Sequence, residues 1–246
     1  MPEPSRSAPV RNPHRIVSLS PEVSRLLVDL GVGDEIVADV ASGEELDDAW
    51  VARIAEQRPD LAIGLAEARS QALAPKLEAL GVRVVLLAPR SANEVDAAVQ
   101  RIGALVDRDV RARAVAAQIV RDVAQIATRR DGRSRLRVAL LVACDPPTAV
   151  GGAGLLHEAL ELAGAENVFH EPGQVERPTT AAELSDRAPE IVLDATGEGP
   201  ASRCLDPRTW SARTQSVATE IAGLPALDLL GRVRALHELL YGAPTR

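Results

Sequence analysis

The groups in this chain that could do chemistry are four histidines, two cysteines, a glycine-rich turn and carboxylates that fall just after short apolar runs. His170-Glu171 is the best local seed for a transition-metal site, because such metals combine imidazole with carboxylate or thiolate ligands. His14, His157 and His237 stand apart from it, and without HxxxH or CxxC spacing no site built from protein ligands alone is expected. Gly151, Gly152 and Gly154 could bring backbone N–H groups to an anion at a helix start. Their run fits neither a dinucleotide fingerprint nor a phosphate loop, so a tight strand-to-helix turn is the expectation. Nucleophilic catalysis has little support: there is no G-x-S-x-G elbow, no Cys-His pair in context and no paired-carboxylate signature.

Dispersed groups of this kind act together only if strands deliver them to one place. In parallel-sheet lobes, ligands bind beyond the carboxyl ends of the strands. That rule selects Ser20, Glu22, Asp39, Ser42, Glu67 and Arg69 in the first half of the chain. In the second half it selects Asp145, Gly152, Gly154, His170, Glu171, Asp194 and Thr196. Each has a plainer role: Ser20 caps a helix, and Asp39 ends a strand. Trp50 and Trp210 could stack on a flat ligand or plug their own lobes.

The elements follow from pattern. Arg15–Leu19 is a β-branched run suited to a parallel strand. Ser20-Pro21 starts a helix with apolar positions at Val23, Leu26, Leu27 and Leu30, which Gly31 and Gly33 end. Strands over 35–40, 61–65 and 82–87 alternate with helices, the second of them over 71–80, which implies a parallel sheet with helices on its faces. Ser91 to Glu94 is a capping box. From there to Arg130 the chain reads helical, with Gly103 and Asp107–Asp109 as interruptions, and Val110–Ile126 carries an apolar stripe at helical spacing. A helix of this length could span from one lobe to another. Leu136–Ala143 is a buried strand, Leu155–Leu162 a helix, Asn167–Phe169 a short strand and Glu171–Pro178 a loop. Thr180 to Glu183 is a second capping box, Glu190–Asp194 a strand, and a last helix begins near Leu230. The expected organisation is an arm over 1–13, an α/β lobe over 14–107, a backbone helix over 108–131 and a second α/β lobe over 132–246. Two near-copies support it: Leu26–Val37 reads against Glu158–Phe169, and Gln57–Leu65 against Arg187–Ala195, at an offset of about 130 residues. Two similar lobes imply a cleft, where small ligands bind.

Composition narrows the function. The 246 residues are 46% hydrophobic with 2% aromatics, so aliphatic side chains must build the cores. A net charge of -7 without a clustered basic face argues against nucleic acid. The basic run Arg129–Arg137 is broken by Asp131 and Gly132 and reads as a solvated linker. No apolar stretch approaches the ~20 residues needed to span a bilayer. The first fifteen residues lack an apolar core, so either a cytoplasmic protein or one whose leader has been removed is expected. Cys144 and Cys204 both fall after strands, so either a disulfide or two buried thiols fit.

The segments RIVSLSPEVSRLLVDLGVGDEIV, RPDLAIG, LEALGVRVVLL, GGAGLLHEALELAGAENVF and TTAAELSDRAPEIVL, with the long helix between them, resemble the helical-backbone substrate-binding proteins of ABC importers. That family includes cobalamin-, haem- and iron-siderophore-binding proteins, and LELAGAENVF looks most like the cobalamin-binding branch. The resemblance runs from about Pro13 to Tyr241. It implies an α/β protein of two lobes joined by a long backbone helix, binding a ligand between them and doing no chemistry of its own. It implies a periplasmic setting, a monomer, and no resident cofactor; cobalamin or haem would be cargo, and the cobalt of a corrinoid could accept His170 or His157. It also implies one acidic residue per lobe that docks on a permease. The first would fall at about Ala52, where no carboxylate stands, although Glu45, Asp47 and Asp48 are near; in the second lobe Glu183 lies one position from the expected place. The loop Ala41–Trp50 is shorter than the family's usual ligand-touching loop. The alternatives are a cytoplasmic homologue that senses or carries a ligand, and a small α/β enzyme using the same cleft.

Overall fold

The computed structural model describes residues 15–40, 47–128, 134–196, 213–216 and 226–242. They fall into two compact units. One is the chain up to Ala88 with Asp96–Ala116; the other is Pro89–Val95 with the chain from Ala117 onward.

The first unit opens with β1 (Ile16–Ser18), α1 (Pro21–Asp29), a 3-10 turn at Gly33–Glu35 and β2 (Ile36–Asp39). It continues with α2 (Asp48–Glu56), β3 (Leu61–Leu65), α3 (Ala68–Ala79) and β4 (Arg83–Leu87). The strands form one wholly parallel sheet in the order β2-β1-β3-β4, the arrangement that strict strand–helix alternation demands. Every residue of β3 is buried, as a strand covered on both faces must be. Gly31 and Gly81, at φ +79 and +81, end α1 and α3 in the left-handed conformation that glycine adopts without penalty. The third helix starts at Ala68, three residues before the expected Gln71, and runs through Pro75. Val17, Leu19, Ile54, Leu73 and Leu77 make an aliphatic core around one aromatic, Trp50.

The long helical stretch is two helices, α4 (Ala92–Leu105) and α5 (Asp109–Thr128). The break falls at Val106–Arg108, where Asp107 takes φ +51. Gly103, expected to interrupt, lies inside α4 instead. A Cβ there would collide with the Ala112 Cβ and come within 3.3 Å of the Arg108 carbonyl, so glycine permits a close crossing of the two helices. The first turn of α4 is held by two carboxylates: Glu94 accepts from the Arg90 N–H at 2.8 Å, and Glu158 accepts from Ala92 N–H at 2.5 Å.

The second unit has β5 (Arg137–Cys144), β6 (Pro147–Val150), α6 (Gly154–Leu162), β7 (Glu166–Asn167), β8 (Glu176–Pro178), α7 (Ala181–Asp186), β9 (Ile191–Asp194), β10 (Arg213–Ser216) and α8 (Leu229–Tyr241). β10, β9 and β5 are parallel, β6 runs antiparallel between β5 and β8, and β7 adds to β5 off this path. The pattern missed β6 and β8, which are four and three residues long and sit next to turn residues where hydrophobic period carries no signal. β6 and β7 lie on the same side of β5: β7 pairs with Arg137 and Val138, and β6 with Leu141, Ala143 and Cys144. α8 is pinned by its polar side chains: His237 Nδ1 meets the Ala163 carbonyl at 2.9 Å, and the Tyr241 hydroxyl donates to the Gly164 carbonyl at 2.7 Å. Cys144 is disulfide-bonded, which resolves the alternative left open by the sequence; the only other cysteine, Cys204, lies outside the described residues.

The crossing of α4 and α5 gives a test. Gly103→Leu should lower stability by about 1–3 kcal/mol through overpacking, although leucine is the better helix former. Urea unfolding with an unchanged midpoint would show that the helices do not approach this closely.

Candidate functional site

Sheet geometry lines up the first group of expected residues. β2, β1 and β3 are neighbours with Asp39 opposite Ser18 and Ser18 opposite Ile63, so Ser20, Asp39 and Glu67 follow the carboxyl ends of three adjacent strands. Ser20 does not cap α1 with its side chain, contrary to expectation. Its carbonyl takes the local bonds instead: Ser18 Oγ donates at 2.9 Å and Ser24 N–H at 3.1 Å, while Ser24 Oγ donates on to Ser18 Oγ at 2.8 Å. The Ser20 hydroxyl is therefore left 4% exposed with no hydrogen-bonding partner. Glu22 pairs with Arg25 at 3.1 Å. Asp39, Glu67 and Arg69 are exposed, and Ser42 lies outside the described residues. Trp50, a candidate for stacking on ligand, is 2% exposed in the core of its own unit and offers no face; an aliphatic core this poor in aromatics needs its volume. An open groove of about 580 Å³ runs along the sheet edge between α1 and β2, bordered by Ser24, Arg25, Asp29 and Asp39, and shares only Asp39 with the strand-end group.

In the second unit Asp194 ends β9. Its Oδ1 accepts from the Thr196 N–H at 3.0 Å and hydroxyl at 2.7 Å, while Oδ2 is buried without a partner. Asp145 sits exposed in the two-residue turn between β5 and β6. Among the described residues three buried side-chain atoms lack partners, and two of them, Ser20 Oγ and Asp194 Oδ2, are at the strand ends selected from sequence. The third is Arg232 Nε in α8, where burial pushes the guanidinium down against the opposing pull of Asp228.

The glycines answer to packing. A Cβ at Gly152 would run into the backbone of His170 and Glu171, and one at Gly151 into the carbonyl of Gln174. Gly154 takes φ +84 beside Val175. These residues let the turn into α6 pass beneath the 170–175 segment rather than present N–H groups to an anion. Trp210 lies outside the described residues.

Asn167 was read only as a strand residue, yet it organises this region. Its side chain is fully buried; Oδ1 accepts from the Phe169 N–H at 3.0 Å, and Nδ2 donates to the carbonyls of Gly151 at 2.9 Å and Val150 at 3.2 Å. Both nearby imidazoles meet it through Nδ1: His157 at 3.2 Å from Nδ2, and His170 at 3.0 Å from its carbonyl. The only sequence signal was its place in LELAGAENVF.

The carboxylates expected to dock on a partner are occupied within the chain. Asp47 caps α2 by accepting from the Trp50 N–H at 2.8 Å. Asp48 pairs at 2.6 Å with Lys76, the only lysine of the chain, whose hydrogen bond and charge hold its carboxyl below the ordinary range. Glu45 lies outside the described residues, and Ala52 is exposed. Glu183 accepts from Arg177 at 2.6 Å and Arg187 at 3.1 Å, and Glu171 binds the same two arginines. Both guanidiniums lie over the buried ring of Phe169, at 5.3 and 4.5 Å from its centroid.

A family model described as periplasmic binding protein matches residues 44–227. The vitamin B12-binding protein of Yersinia pestis is 24% identical over 198 residues, which are 75% of this chain and 70% of that protein. Among solved structures, a possible iron-binding, periplasmic solute-binding protein from Staphylococcus epidermidis superposes with a TM-score of 0.77 at 19% identity, covering 94% of this chain and all 100% of its own. The periplasmic haem-binding protein of Vibrio cholerae gives 0.69 at 17%, over 92% and 98% of the two chains. The periplasmic vitamin B12-binding protein of the same organism gives 0.61 at 16%, over 93% and 96%. At these identities the structures share the fold.

The four-charge cluster sets an acid response. The hydrogen bond from Arg187 holds the Glu171 carboxyl below its ordinary 4.5, against burial. A carboxylate whose folded value is depressed stabilises above the unfolded value, and that increment is lost as pH falls through the folded one. Glu171→Gln should therefore be less stable than the parent at pH 7, by roughly 0.2–1 kcal/mol for so exposed a pair, and the two should converge below pH 4.5. Parallel stability–pH curves in thermal melts would exclude this role.

Proposed function

Because the chain belongs to the periplasmic binding protein family, we propose that it is the solute-binding component of an ABC-type importer. A corrinoid is its first-choice ligand, with haem or a ferric siderophore next. The observation that carries the reading is the pair of buried, unpartnered oxygens, Ser20 Oγ just past the end of β1 in one unit and Asp194 Oδ2 on the last residue of β9 in the other. Leaving such a group unmet costs about 1–3 kcal/mol, and a bound polar ligand supplies the missing partner. The names of the relatives that bind vitamin B12 and haem support this ligand class. The Cys144 disulfide fits an oxidising compartment, hence an exported protein.

A second reading, ligand carriage without permease docking, rests on a separate observation. Asp47, Asp48 and Glu183, the acids nearest the docking positions implied by resemblance, are engaged as a helix cap and in ion pairs.

Isothermal titration with cyanocobalamin, haemin and a ferric siderophore should yield saturable heat with at least one of the three. Heat with none would sink the binding reading. Ser20→Ala should weaken that binding by roughly tenfold while leaving the unliganded protein as stable as the parent or slightly more so, because it deletes an unpaired buried hydroxyl.

A further inference from the structure

β2 is an edge of the first sheet, and among the described residues it pairs with β1 alone. An edge strand offers main-chain N–H and C=O groups to whatever lies beside it, and folds guard such edges with proline or charged side chains. β8, an edge of the second unit's sheet, follows that rule with Glu176, Arg177 and Pro178. β2 reads Ile36-Val37-Ala38-Asp39, with no basic residue or proline, and its three apolar residues are each half-buried. Its register slips once: Ile36 matches Ile16 and Ala38 matches Val17, so Val37 has no counterpart on β1. The bulge does not close the edge, because the open groove of about 580 Å³ beside α1 continues past it to Asp39.

The groove is apolar along its length and acidic at its rim. Val28 of α1 and Ile36, Val37 and Ala38 of β2 line it, and Val28 is 59% exposed while its neighbours Leu26 and Leu27 are buried. Gly33 adds backbone only; a Cβ there would press on Val28 Cγ2 at 3.0 Å. Arg25, the cation among the bordering residues, pairs with Glu22 at 3.1 Å. Asp29 and Asp39 on the rim, and Asp34 in the turn before β2, are exposed and have no ion pair among the described residues. Arg111 reaches the Asp29 main-chain carbonyl, at 2.7 Å, rather than its carboxylate.

That charge decides between occupants. A second copy of the chain would bring like charges together: antiparallel, Asp39 of each copy meets the Asp34–Glu35 end of the other; parallel, identical acids face each other. A basic strand meets no such penalty. We propose that β2 is a docking edge for an extended segment of another protein, about four to six residues of alternating apolar character flanked by lysine or arginine. The segment's main chain adds a strand to β2, alternate side chains enter the groove beside α1, and its cations meet Asp29, Asp34 and Asp39. These acids are not Asp47, Asp48 or Glu183, which the chain itself engages.

The test titrates the full chain into a fluorescent peptide in which valine and threonine alternate between an arginine at each end, following anisotropy at low salt. Saturable binding is expected, with amide exchange slowed in β2 and unchanged in β4. Joint replacement Asp29→Lys and Asp34→Lys should weaken binding roughly tenfold or more, as should salt at about 1 M. Both positions are exposed, and lysine suits the C-terminal end of α1, so this variant keeps its fold. A peptide of the same charge with proline at its centre, which cannot add to a strand, should not bind. No saturation by about 1 mM overturns the proposal. Equal binding of the proline peptide or of a glutamate-ended one, protection outside β2, or sedimentation as a dimer that excludes the peptide overturns it as well.

Discussion

A primary amide buried without any exposure has two donors and an acceptor to satisfy, and around Asn167 that requirement fixes the middle of the second unit. β6 must end where its last carbonyl, at Val150, and that of Gly151 can face Nδ2, and the chain leaving β7 must bend so that the Phe169 N–H reaches Oδ1. The turn into α6 must then pass under the 170–171 backbone, which only glycine allows. The bend in turn sends Phe169 into the core, beneath Arg177 and Arg187, and His170 outward. Removing a partner from such a network strands buried polar atoms, so strand, turn and loop stand or fall together.

Much of the scaffold was legible because parallel, helix-covered strands leave strong local marks. β3 is apolar throughout, Pro21 opens a helix, and Gly31 and Gly81 close two others. The Ser91 and Thr180 hydroxyls do cap their helices, accepting from the Glu94 and Glu183 N–H groups. The residues that failed are those whose role depends on non-local neighbours. Gly103 looked like a breaker because the sequence does not show Ala112 folding back against it. Ser20 looked like a cap, yet Ser18 and Ser24 claim the local hydrogen bonds and leave its hydroxyl alone. The half-box at Thr180 is real, but Glu183 turns away to two arginines from β8 and the end of α7. Asn167 carried no pattern at all, since a buried hydrogen-bond hub has no periodicity.

Charge in the two units is spent mainly inside each fold. An acidic surplus of -7 invites an electrostatic reading of the surface. Yet Asp47, Asp48, Glu158, Glu171 and Glu183 all satisfy helix ends or cationic side chains of their own chain. The buried side-chain oxygens left without a partner among the described residues, Ser20 Oγ and Asp194 Oδ2, both stand at strand ends.

The interleaving of the units reaches beyond the folded state. The first unit needs Asp96–Ala116 to complete it, and by then the chain has already laid down Pro89–Val95, which belongs with residues synthesised afterwards. Emerging from a ribosome, the first sheet can pair its strands after Leu87 but must wait for some thirty further residues before α4 and α5 close over it, while the first turn of α4 waits for Glu158. Neither unit is a contiguous piece of sequence, so nascent folding of the two is entangled, and a fragment cut at any single peptide bond leaves at least one of them incomplete.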